Sequence, residues 1–79
     1  MERLTGKSKR VAARVRAAIE ESGLSERQVA EITGIARETL RRRLVGKTAF
    51  TIDELEAIAH ELGKGDYTVF VDFPRSAAS

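Results

Sequence analysis

Hydrophobic positions recur at helical spacing in four stretches of this 79-residue chain, and a glycine closes each of them. From Lys9 to Ser22, Val11, Val15, Ala18 and Ile19 share a face, with Arg10, Arg14 and Arg16 outside it. Val29, Ala30, Ile32 and Thr33 form the inward stripe of a second, shorter helix. Ile35 anchors the turn after it. In a third helix, from about Ala36 to Val45, Leu40 and Leu44 lie four apart on one face, while Glu38, Arg41, Arg42 and Val45 point the other way. Beyond a loop from Lys47 to Phe50, a fourth helix carries Ile52, Leu55, Ile58, Ala59 and Leu62 on one side. The expected core comprises Val29, Ala30, Ile32, Leu40, Leu44, Leu55, Ile58 and Leu62.

Capping signals agree with this division. Ser25 with Gln28, and Thr51 with Glu54, have the spacing of capping boxes, in which each side chain satisfies a backbone N–H of the other residue. Gly23, Gly34, Gly46 and Gly63 fall at the four expected helix ends. After Gly65 the period changes. Tyr67, Val69, Val71 and Phe73 alternate with Thr68, Phe70 and Asp72, which predicts a β-strand over 66–73 that Pro74 ends. The expected fold is an all-α domain of four to five helices with a short C-terminal β-strand. Residues 1–8 read as a flexible basic arm, 9–63 as the helical domain, 64–74 as the strand segment and 75–79 as a frayed tail.

Charge adds to this picture because it is segregated. The net charge is only +2, yet residues 1–19 carry six basic side chains against one acidic, and 35–48 carry five against one. Residues 20–34 hold four acids and one base, and 49–73 six acids and one base. Such blocks imply one basic and one acidic face, and binding to a polyanion depends on the local face. With no cysteine, disulfides, Cys-based zinc sites and thiol nucleophiles are excluded. No apolar run approaches the roughly 18 residues of a membrane helix, and no apolar stretch follows the basic start, so the expected location is cytoplasmic. The lone histidine, His60, falls on the outer face of the fourth helix beside Glu56, where it reads as solvated. Catalysis, a metal and a cofactor are not expected.

Two short helices joined at Gly34, the second presenting long polar side chains, have the form of a reader of the DNA major groove. The run L-S-x-x-x-V-A-x-x-x-G-I from Leu24 to Ile35 carries the family resemblance. So do Thr39 with Leu40, Leu44, Gly46, and I-x-x-L-x-x-I-A-x-x-L-G from Ile52 to Gly63. Over about 40 of the 79 residues the chain resembles the Cro-like and lambda-repressor-like helix-turn-helix family. One departure is Ala36, where the family often carries Ser or Thr; without a side-chain cap the start of the third helix is less firmly fixed.

On this reading Arg42 and Arg41 reach base edges, since arginine bonds guanine O6 and N7 bidentately; phosphate contact competes for Arg41 and is the expectation for Arg43. Arg37 resembles the family position whose side chain enters the groove, and Glu38 has the acceptor that cytosine N4 needs. Ser25, Arg27 and Gln28 begin the second helix, where free amides and the dipole favour a phosphate, and Lys47 and Thr48 read as backbone clamps. The resemblance implies a transcriptional regulator, a phage or prophage repressor or Cro-like protein that occupies a double-stranded DNA operator without a cofactor. Alternatives are an antitoxin with a toxin partner and a small protein-interaction module with a basic docking helix. A lone strand with unpaired edges implies a homodimer, with Tyr67, Val69, Phe70, Val71 and Phe73 in an antiparallel ribbon. The competing arrangement folds that segment back on its own domain.

Overall fold

The computed structural model describes residues 6–71. Four α-helices, α1 (Gly6–Ser22), α2 (Glu26–Thr33), α3 (Arg37–Leu44) and α4 (Ile52–Glu61), are followed by a 3₁₀ turn at Tyr67–Phe70. No helix among the described residues is long and apolar enough to cross a membrane.

The first turn of α1 precedes its apolar stripe. Residues 6–8, expected in the arm, are helical although they have no apolar side chain to mark them. Both expected capping boxes form: Ser25 Oγ accepts from Gln28 N at 3.1 Å and Gln28 Oε1 from Ser25 N at 2.9 Å, and Thr51 and Glu54 do the same at 3.1 and 2.9 Å. Gly34, at φ +78°, turns left-handed and gives its N–H to Ala30 O, which ends α2 where an L side chain would be strained.

The core joins Val15, Ala18 and Ile19 of α1 to Val29 and Ala30, Leu40 and Leu44, and Leu55, Ile58 and Ala59. Leu62 is half-buried against it. Ile32, expected in the core, and Ile52, expected on the inward side of the fourth helix, are outside it. Ile32 is 43% exposed because the buried face of α2 centres between Val29 and Ala30, about a third of a turn away. Ile52 is 59% exposed, in the first turn of α4 and off the centre of the Leu55–Ile58–Ala59 face.

The expected strand does not form over the described residues. Asp66 caps a tight turn, its carboxylate accepting from the N–H of Thr68 at 3.0 Å and from the Thr68 hydroxyl, while Glu56 Oε1 accepts from Tyr67 N at 3.0 Å. In a 3₁₀ turn residues three apart eclipse, so Tyr67 and Phe70 face the same way. Phe70 is buried at 2% exposure, and Tyr67 and Val71 pack on the core beside it. The alternation that suggested a strand is a three-residue spacing of core contacts, with Val69 left 46% exposed. Phe73 lies outside the described residues, as do 1–5 of the expected arm and the tail at 75–79.

Candidate nucleic-acid interface

Leu40, fully buried, and Leu44, at 2% exposure, fix the inner face of α3. With those two positions pinned, Arg37, Glu38, Arg41 and Arg42 are exposed. Arg37, Glu38 and Arg42 have no side-chain partner among the described residues, so their donors and acceptors are available to a ligand. A cleft of about 250 Å³ lined by Arg27, Ala30, Glu31, Ile35 and Arg37 runs beside the turn and brings together two expected contact residues from different helices. Arg27 is also drawn loosely to Glu31, at 3.8 Å.

The start of α3 has no side-chain cap, as Ala36 predicts. Its end is held from outside, where Arg16 of α1 donates from Nη1 to Leu44 O at 2.6 Å. A cation at the negative end of a helix is well placed. The sequence places Arg16 only outside the apolar face of α1, and nothing in the chain signals a bond across 28 residues.

Arg43 differs from its two neighbours. It faces α4, where Nε and Nη2 donate to the two carboxylate oxygens of Glu54 at 2.8 and 3.0 Å and Nη1 donates to Thr48 Oγ1 at 2.6 Å. Both members of the ion pair are mostly buried, with side chains 20% and 17% exposed. The Glu54 bond raises the already high pKa of the guanidinium. Burial by itself pushes the Glu54 carboxyl up, but the Arg43 bonds and the Thr51 N–H outweigh it and hold the group below the usual glutamate range. Arg43 and Thr48, expected to clamp DNA phosphates, are thus joined in a network that braces the loop between α3 and α4. Lys47, on the same loop, is exposed and unpaired among the described residues.

Ser25 and Gln28 are engaged with each other in the α2 capping box, so their side chains already have partners there. Arg41 reaches back to Glu26, the first residue of α2, at 3.2 Å. Of the residues expected at a dimer ribbon, Tyr67, Phe70 and Val71 are spent on their own core. His60 is exposed, and among the described residues no three His, Asp or Glu side chains converge as metal ligands.

A short capped helix, a left-handed glycine turn and a second helix with cationic side chains outward define a DNA-binding helix-turn-helix domain. The helix-turn-helix family model matches residues 15–67, and the chain belongs to that family, in its Cro- and lambda-repressor-like form. No curated protein and no solved structure matches the chain.

Proposed function

We propose that the protein is a sequence-specific transcriptional regulator that acts by occupying a double-stranded DNA operator, as a phage or prophage repressor or Cro-like protein does. The observation that carries this reading is the outer face of α3, where Arg37, Glu38 and Arg42 stand exposed and unpaired on a helix whose other face is fixed by Leu40 and Leu44. Base reading needs side chains that are free to bond and a backbone that does not move. Arg42 reads a base, Arg37 and Glu38 reach the groove from the helix start, and Lys47 holds a phosphate. Two copies on a palindromic site place their recognition helices about 34 Å apart, one turn of B-DNA.

Selecting bound duplexes from a random pool tests this directly. A defined half-site should emerge, repeated one turn away if two copies bind. Arg42→Ala should then weaken binding to the selected site by about 1–3 kcal/mol and flatten preference at one base pair. Lys47→Ala should weaken all sequences alike and lower the salt slope by roughly one unit. Equal losses for both variants on selected and random DNA would overturn the docking.

A further inference from the structure

Glu26 and Arg41 come from different helices and meet at the front of the motif. Oε1 of Glu26 accepts from Nη1 of Arg41 at 3.2 Å, with the side chains 39% and 68% exposed. The beginning of α2 is where free amides and the helix dipole favour an acidic side chain and equally attract a phosphate, so the two compete there. A bare carboxylate there would repel DNA. Arg41 offsets it, so that the pair as a whole carries no net charge.

We infer that Glu26 is a specificity-determining positioning residue, which converts Arg41 from a general phosphate contact into a contact that only a base edge satisfies; the inference rests on the DNA-binding reading above. A free arginine on a long stem is pulled toward any phosphate, a gain that carries no sequence information. Once paired, Arg41 and Glu26 together present almost no net charge to the backbone. The guanidinium nevertheless keeps most of its five N–H donors, since only the Nη1 contact is made to Glu26. Those donors can still bond neutral acceptors such as guanine O6 and N7. The carboxylate therefore lowers affinity most for sequences that offer Arg41 only a phosphate, and least for the one that offers it a base edge. Specificity, being a difference of affinities, rises.

The test uses the duplex selected by the wild-type protein and a scrambled duplex, each titrated over a range of KCl. Glu26→Gln should bind the scrambled duplex about two- to fivefold more tightly, the range in which exposed ion pairs act, with a salt slope steeper by close to one unit. Its affinity for the selected duplex should change less, so the ratio falls. In an Arg41→Gln background the same substitution should leave the ratio and the salt slope almost unchanged, because the cation it releases is gone, and keep only the uniform gain of removing a carboxylate near phosphate. Arg41→Gln alone should weaken the selected duplex more than the scrambled one, so that the ratio falls. The inference is overturned if Glu26→Gln leaves the ratio and slope unchanged, or if the lower ratio and steeper slope persist in full without Arg41, which would mean the carboxylate acts on phosphate directly. A wild-type protein with no salt-dependent duplex binding would overturn the DNA reading, and this one with it.

Discussion

Three consecutive arginines, Arg41 to Arg43, do three different things because each successive residue on a helix turns by about 100°. Arg41 turns back to Glu26 on α2, Arg42 projects outward, and Arg43 faces Glu54 on α4. The Arg43–Glu54 pair also makes stability depend on pH. Since the folded carboxyl sits below its unfolded value, its contribution is present above the ordinary glutamate pKa of about 4.3 and is lost as pH falls through the lower folded value. Asp66 is shifted the same way by Thr68, so acid destabilisation has more than one source. Thermal melts from pH 7 to 3 on the wild type and Glu54→Gln separate them. The variant should lose roughly 1–3 kcal/mol at pH 7 and show a shallower fall in melting temperature below about pH 4.3. Identical acid slopes would remove Glu54 from the account.

At the scale of elements, α3 is an eight-residue helix that would be marginal alone, and it gains from its neighbours what its own ends lack. Arg16 covers its last carbonyl, and Arg41, Arg42 and Arg43 fall in its last turn, where cations suit the dipole. Its start stays uncapped. Ala36, at φ −59° and ψ 137°, already has extended backbone from which a hydroxyl could accept from the first turn. Ala36→Ser should therefore stabilise the domain by about 0.5–1 kcal/mol and raise the melting temperature by a few degrees; a lowered one would show that the turn has no room for a cap. This absence was legible in the sequence, as were the four helices, because apolar period, caps and glycine ends agree there. Ile32 and Ile52 were misplaced for want of a third reference point, since their spacing fits a stripe but the neighbouring helices decide which part of it is covered. The outward side chains of α3 could be named from Leu40 and Leu44 alone. The pairs Glu26–Arg41 and Arg43–Glu54 could not, because they join residues 15 and 11 apart and depend on how helices cross.

For the molecule as a whole, the decisive difference from sequence expectation lies after Gly65. A strand there would be an addition to a complete helical domain, dispensable for folding and reserved for a second copy. The structure makes it part of the domain: Phe70 is 2% exposed in the same cluster as Ile58 and Ala59 of α4 and Val15 of α1, with Tyr67 and Val71 packed around it. A chain of this size buries only about 60% of its unfolded surface or a little more, and one aromatic is a large share of such a core. Phe70→Ala should cost about 3–5 kcal/mol by transfer and cavity terms together, comparable to the entire stability of a small domain. Truncation after Gly65 should do at least as much, because it also removes Tyr67, whose N–H bonds Glu56, and Val71. Both variants should lose DNA binding by unfolding, seen as lost helical circular dichroism at 25 °C before any DNA is added. Val69→Ala, at an exposed position in the same turn, should stay folded within about 0.5 kcal/mol of wild type. A truncated chain that keeps its helical signal and melting temperature would return the segment to a role outside the domain, and Val69→Ala losing as much as Phe70→Ala would mean that the turn packs through its other face.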